Sequence, residues 1–305
     1  MTHIKIEGGA PVAGIYDLDA ETYHADPCRP CAHSVSSTGL KTILHHSPAH
    51  YAYGQDADKP SFKIGRAVHE AILEGAEGWY ERYAPRPDDQ RGSFTTKAGK
   101  AWRDEQEAAG RVILDRGADR QIMAMADSIR HHETARTLLT TGAPEKSLLW
   151  QDDQTGAWLR ARPDMLPENR RFVPDLKTVE DASPEAVRMA MYRYGWHESA
   201  ALYLWGVRAV TGIDPEGFFL VCVEKKPPYA VAVYEIGATS LHLGLLSMRR
   251  AVGTFAECVR SGQWPGYFPG HHVENLEIPE WAQRRASEAA GDPDDPLPDG
   301  MEEAA

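Results

Sequence analysis

Two acids and a lysine stand at the ends of consecutive candidate strands: Pro163-Asp164 closes one, and Asp175-Leu176-Lys177 closes the next. Side chains alternate faces along a strand, so Asp175 and Lys177 project from one face while Phe172, Pro174 and Leu176 project from the other into apolar packing. With Asp164 beside them on the neighbouring strand, two carboxylates converge with an ammonium at their edge. Such a set suits a hard cation, because Mg²⁺ takes a few carboxylate oxygens and leaves the rest of its shell to water and phosphate oxygens. A cation held there lets water attack near neutral pH and stabilises the charge that builds on a scissile phosphate. Phosphodiester hydrolysis is the chemistry implied. Lys177 would orient the attacking water or lower its pKa, and His69 would complete the metal's shell. Spacing alone is a weak signal, since Asp and Lys two apart on a strand commonly form a solvated face.

The surrounding pattern supplies elements able to position these residues. Ile64, Ala67, Val68, Ala71 and Ile72 recur at helical spacing, which places His69 and Glu70 on a helix with one apolar face. Ser36-Ser37-Thr38-Gly39 caps an earlier helix that Ser47-Pro48 stops. Helical patterning resumes from about 98 to 139, after a Pro-, Gly- and Asp-rich segment carrying Arg91, Lys97 and Lys100, the best basic stretch for nucleic acid. The period then changes. Residues 146–151, 157–162 and 171–177 read as three consecutive strands, the first two a hairpin across Asp152-Asp153-Gln154-Thr155-Gly156. A helix from Pro184 to about Val210, strands over 217–224 and 229–236, and a helix over 239–260 complete the order. Helices, strands, helix, strands and helix indicate an α/β protein with a central mixed sheet flanked by helices.

The chain has 305 residues, 42% hydrophobic and 26% charged, the composition of a globular protein rather than a fibrous or disordered one. No stretch reaches the roughly 20 apolar residues of a membrane helix; the N-terminus lacks the pattern of a secretion signal, and four cysteines are too few for a disulfide scaffold. These features predict a cytoplasmic, reducing setting and no membrane partner. The formal net charge of −12 is uneven. Residues 286–305 hold seven acids and no Lys or Arg, leaving 33 basic against 38 acidic residues in the first 285. Net charge therefore does not decide the partner. Residues 1–25 read as an N-terminal arm, 26–285 as one domain and 286–305 as an acidic disordered tail.

Beyond the two strand ends, several blocks recur in a characteristic order: Ser36-Ser37-Thr38-Gly39-Leu40-Lys41, Ser47-Pro48-Ala49-His50-Tyr51, Gly65-Arg66-Ala67-Val68-His69-Glu70, Thr96-Lys97-Ala98-Gly99-Lys100, and Thr155-Gly156 to Arg162-Pro163-Asp164. Pro163-Asp164 with Asp175-Leu176-Lys177 resembles the PD-(D/E)XK nuclease signature, and the ordered blocks resemble the catalytic domain of exonuclease VIII, a phage-type recombination exonuclease. The resemblance implies a restriction-endonuclease-like core and a Mg²⁺-dependent exonuclease, with Mn²⁺ as a substitute. Its substrate would be linear double-stranded DNA, digested from 5′ ends. It further implies a homo-oligomer working alongside a single-strand annealing protein. Carried over to this sequence, the metal ligands fall on His69, Asp164 and Asp175, and the catalytic set on Lys177, Asp175 and Asp164. Glu145 supports the site. Arg160 and Arg162 flank the cleft as phosphate contacts, although pairing with acids is about as expected.

Two positions depart from that pattern. Ser199 stands four residues before Tyr203 where the family usually has Gln, so a DNA contact is missing or is taken over by Glu198 or His197. Pro174 removes a strand N–H, which predicts a bulge or an edge. A non-catalytic DNA-binding or recombination-partner module on the same fold is the alternative these departures suggest. A second alternative is an iron–sulfur nuclease, suggested by Cys28-Arg29-Pro30-Cys31, although one CxxC is half a site. Cys222, in an apolar strand, reads as a buried free thiol.

Overall fold

The computed structural model describes residues 12–24, 34–54, 60–73, 78–267 and 273–290. The chain opens with β1 (Gly14–Tyr16), α1 (Ala20–His24), β2 (Ser34–Val35), α2 (Ser37–His45), α3 (Pro48–Tyr53), α4 (Pro60–Leu73), α5 (Trp79–Arg82) and β3 (Tyr83–Pro85). A 3₁₀ turn at Gln90–Gly92 precedes α6 (Lys97–Ala108), β4 (Val112–Leu114), α7 (Ala118–His131) and α8 (Glu133–Thr140). Then come β5 (Gly142–Pro144), β6 (Ser147–Gln151), β7 (Trp158–Ala161), β8 (Met165–Pro167) and β9 (Phe172–Val179). The series ends with α9 (Pro184–Arg193), α10 (Trp196–Thr211), β10 (Gly217–Glu224), β11 (Val231–Glu235), α11 (Ala238–Ser261) and α12 (Glu280–Ala290).

The mixed α/β class holds, but the three strands expected side by side belong to different sheets. β6 and β7 form the predicted hairpin within a sheet of order β1-β6-β7-β2, whereas β9 lies in a sheet of order β11-β10-β9. Between them the chain turns at Asp164 and makes β8, which pairs antiparallel with β5. β9 runs parallel to β10, from Phe172 opposite Gly217 to Val179 opposite Glu224. One compact unit ends at Gly266, and a second begins at Tyr267.

β10 has helices on both faces, which explains its nearly continuous apolar run. Phe218, Leu220 and Cys222 join a core with residues of α2, α10 and α11, while Val221 and Val223 join a second core with α4 and α7. β9 divides in the same way: Val173 enters the first core and Leu176 the second. Asp175 and Lys177 share the parity of Val173 and so face the side of α2 and α10.

Pro174 makes no bulge. The register with β10 is unbroken through it, and β9 is an edge strand. The Leu176 N–H points away from β10 and donates to Asp164 Oδ2 at 2.6 Å. Pro174, two residues earlier, has the same orientation, so the N–H it lacks would have faced the open edge and no ladder bond is lost.

Other expectations need adjustment. The helical stretch expected over 98–139 is interrupted by β4, because Val112-Ile113-Leu114 finds a parallel partner in β3. The helix expected from Pro184 breaks at Gly195, whose φ of +61° is left-handed. The tail expected to be disordered from 286 begins inside α12, which runs to Ala290; residues 291–305 lie outside the described residues. Within the predicted arm, β1 pairs antiparallel with β6. No helix among the described residues is long and apolar enough to cross a membrane.

Candidate active site at the open edge of one strand

Asp164 occupies the open edge of β9 where another strand would otherwise pair. Oδ2 accepts the Leu176 N–H, and Oδ1 lies 3.5 Å from His69 Nδ1. His69 arrives on α4, which Ala67, Val68 and Ala71 bury against the face carrying Leu176. Glu145 arrives from the turn between β5 and β6. Its φ of +52° is costly for a residue with a side chain, and its N–H donates to the Asp164 carbonyl at 3.1 Å. Strain of this kind collects where a side chain must be aimed. One ligand atom each from His69, Glu145 and Asp164 lies within 4.8 Å of the others.

Asp175 and Lys177 complete the cluster from β9. Lys177 Nζ is ion-paired with Asp175 Oδ2, and both side chains are largely removed from solvent. Burial opposes the Lys177 ammonium, but the Asp175 and Asp164 carboxylates outweigh it and hold its pKa above the ordinary value. Burial likewise opposes charge on His69 and on Asp164. Their mutual attraction wins in each case, raising His69 and lowering Asp164, with Lys177 and the Leu176 N–H adding to the latter. Glu145 moves up through burial and then through the Asp164 charge, against the pull of Arg162. Asp175 is also raised, by burial foremost. Carboxylates that crowd one another in this way form a donor set that a divalent cation would relieve. The site thus fits a hard or borderline cation on His69, Glu145 and Asp164. Glu145, expected only in support, sits in the convergent group; Asp175, expected as a ligand, faces the lysine.

The remaining predicted residues divide. Arg162 Nε donates to Glu145 Oε2 at 2.6 Å, and its Nη1 is buried without a hydrogen-bond partner among the described residues. Of the two readings that the sequence left open for Arg160, a phosphate contact or a structural pairing, its surroundings favour the second. Arg160 is buried, and its Nη1 donates to the Ser34 carbonyl at 2.7 Å and to Ser34 Oγ at 2.9 Å, tying β2 to β7. Replacing it with methionine should lower stability in urea denaturation by about 2 kcal/mol, the worth of charge-assisted bonds inside a protein. DNA affinity across salt should not change.

Tyr203 packs against the first core, with its ring centroid 6.1 Å from that of Phe218, and its hydroxyl bonds the Ser37 side chain. Ser199 is half-buried on α10. Arg91 is exposed and paired with Asp89 at 2.8 Å. Lys97 and Lys100 are exposed on α6 with no ion-pair partner among the described residues. Among the described residues, no hydrogen bond or ion pair joins these three to the carboxylate cluster.

Cys28 and Cys31 lie outside the described residues. Cys222 and Cys258 are buried free thiols, Cys222 pushed up to about 12 by desolvation.

Lys41, on α2, is a site residue that the spacing of the motif does not reveal. Its Nζ donates to the Tyr194 carbonyl at 3.0 Å, and desolvation followed by the Lys177 charge pushes it down to about 8. Beside it, buried Glu198 accepts from or pairs with His45 Nε2 at 2.8 Å. That carboxylate is therefore committed to α2, while His197 sits 3.4 Å from the Met191 carbonyl. The only advance sign of Lys41 is its place in the Ser36–Lys41 block.

A mixed α/β core that gathers Asp164, Asp175 and Lys177 at one strand edge, with a histidine from a preceding helix, is a PD-(D/E)XK nuclease fold. The family of PDDEXK-like domains of unknown function (DUF3799) matches residues 36–274, and the chain belongs to it. A comparison with curated protein sequences finds no match. Among solved structures, a candidate exonuclease from Eubacterium rectale superposes with a TM-score of 0.55 at 13% identity, covering 88% of this chain and 98% of that one. A phage-related exonuclease from Haemophilus somnus gives a TM-score of 0.34 at 11% identity, over 76% of this chain and 97% of that one.

Proposed function

We propose that the protein is a divalent-metal-dependent exodeoxyribonuclease that hydrolyses linear double-stranded DNA from 5′ ends. The observation that carries this reading is the convergence at the β9 edge of Asp164, Asp175 and Lys177 with His69 and Glu145. His69, Glu145 and Asp164 would hold Mg²⁺ or Mn²⁺, which supplies positive charge to a scissile phosphate and acidifies water. Lys177, ion-paired with Asp175, would orient the attacking water or stabilise, as a hydrogen-bond donor, the negative charge that grows on the phosphoryl oxygens. Asp175 fixes that ammonium in place. Arg162 orients the Glu145 carboxylate through its Nε and flanks the cation site beside the phosphate path. The 5′ polarity, the homo-oligomer and the annealing-protein partner follow from the resemblance to recombination exonucleases, and the geometry adds nothing to them.

Digestion of 5′-labelled linear duplex and closed circular duplex, with Mg²⁺, Mn²⁺ or EDTA, tests the reading. Loss of label from the linear form only, dependent on metal and reduced at least about 100-fold by Lys177→Ala or Asp175→Asn, is the expected result. Binding of duplex without cleavage in either metal would instead make the protein a non-catalytic DNA-binding module. Calorimetric titration of Mn²⁺ checks the ligand set separately: Glu145→Gln should weaken binding, and Arg91→Ala should leave it unchanged.

A further inference from the structure

The first turn of α10 joins the candidate site to an exposed aromatic surface. Lys177 Nζ stands 5.7 Å from the centroid of the Trp196 ring. Trp196 stacks on Tyr194, with centroids 5.8 Å apart and planes inclined by 26°. From there Tyr194, Tyr192 and Met189 follow along the end of α9, exposed to 56%, 77% and 65%. A single exposed apolar side chain needs no explanation, but a run of them that starts at a catalytic ammonium does.

The mounting of this surface is rigid. The Tyr194 carbonyl accepts from Lys41 Nζ at 3.0 Å, and its N–H donates to the Ala190 carbonyl at 2.9 Å. Between the two rings, Gly195 lies against Glu198 and Lys41 so closely that a Cβ there would collide with both side chains. The backbone is thus pressed onto α2 and its buried charges, while the Tyr194 ring stands outward. Arg188 and Arg193, on α9 with Met189 and Tyr192, are exposed and without an ion-pair partner among the described residues. Unpaired arginines interleaved with aromatic faces match a nucleic-acid strand, whose phosphates take the cations and whose bases take the rings.

We propose that the Tyr194–Trp196 step is a stacking platform for an unpaired nucleobase, adjoining the phosphate that Lys177 faces. Bases inside a duplex already stack on one another, so only a terminal, frayed or single-stranded base can offer its face to Tyr194. The platform therefore selects DNA with an unpaired nucleotide next to the cleft, which explains how a site of this kind acts at ends. It rests on the nuclease reading for its location, but its test does not need cleavage.

Binding of the full chain is measured by anisotropy in EDTA, with a duplex bearing a short unpaired tail, the same duplex with an abasic tail, and a duplex closed by hairpins at both ends. A 2-aminopurine in the tail reports stacking. Tyr194→Ala should weaken the tailed duplex about tenfold and abolish quenching of 2-aminopurine, while Tyr194→Phe retains both. Wild type on the abasic tail should match the alanine variant on the normal tail, and the closed duplex should bind all three proteins alike. Equal affinity of Tyr194→Ala and wild type for the tailed duplex would overturn the platform. So would conversion of a dimer to a monomer by Tyr194→Ala in sedimentation with DNA affinity unchanged, which would assign the face to a second copy of the chain. A protein that cuts nothing with metal but loses tail binding on Tyr194→Ala keeps the platform and drops hydrolysis; one that cuts while Tyr194→Ala binds the tail normally does the reverse.

Discussion

Asp164→Ala is expected to eliminate cleavage and to remove about 3 kcal/mol of stability, whereas Asp164→Asn eliminates cleavage and leaves the greater part of that stability. The difference follows from the two jobs of the carboxylate. Alanine strands the buried Leu176 N–H, which has Asp164 Oδ2 as its acceptor at 2.6 Å, and leaves His69 beside an empty edge. Asparagine keeps an acceptor for the N–H but no charge for His69 or for a cation. The pH dependence separates these contributions. The folded pKa of Asp164 is lowered, so its share of stability is present above about pH 4, the unfolded carboxylate value, and is lost as pH falls through the folded value. The folded pKa of His69 is raised, so its share is present below about pH 6.5 and is lost as pH rises through the folded value. Urea denaturation in EDTA should therefore show the largest gap between wild type and Asp164→Asn between about pH 4 and pH 6.5. A gap independent of pH would mean that the His69–Asp164 pair contributes nothing to folding.

Residues that act through local spacing were legible in the sequence, and those that act through distant pairing were not. The alternation of β9 put Asp175 and Lys177 on one face and Leu176 in the opposite core, as the structure has it. The apolar stripe of α4 likewise placed His69 on a helix. Arg160 and Arg162 looked equivalent, two apart on one strand. They differ because β2, 126 residues earlier, lies against β7 and takes the Arg160 guanidinium, and nothing near Arg160 announces that strand. Glu145 owes its place to a left-handed backbone conformation that glutamate seldom adopts, closed by the Asp164 carbonyl. Lys41 meets Tyr194, and His45 meets Glu198, each across 153 residues. The sequence reading also took β7 and β9 for partners in one sheet. In the structure it is the Asp164 side chain, rather than a strand, that satisfies the edge of β9, so the site exists where sheet pairing stops.

Gly244 and Gly253 lie in one helix, and alanine at each is expected to act with opposite sign. Nine residues at about 100° each place them on opposite faces of α11. Periodicity alone does not say which face meets a neighbour. At Gly244 a Cβ would stand 2.5 Å from the His197 carbonyl oxygen and 3.1 Å from the Glu198 N, backbone atoms of α10 that cannot rotate away. At Gly253 nothing lies within 4 Å of the added carbon. Gly253→Ala should then stabilise by up to about 1 kcal/mol, the helix-propensity gain alone. Gly244→Ala sets the same gain against about 2 kcal/mol of overpacking, and Gly244→Val, larger and without the full gain, should lose about 3 kcal/mol. Thermal or urea denaturation of the three variants reads these values directly; a stabilising Gly244→Ala would show that α10 and α11 separate without cost. The consequence reaches the cleft. His197 follows Trp196, whose ring faces Lys177, so a Cβ at position 244 pushes on the turn that carries the aromatic wall of the site. Gly244→Val should therefore also weaken binding of the tailed duplex at temperatures where the variant is still folded, while Gly253→Ala leaves it unchanged.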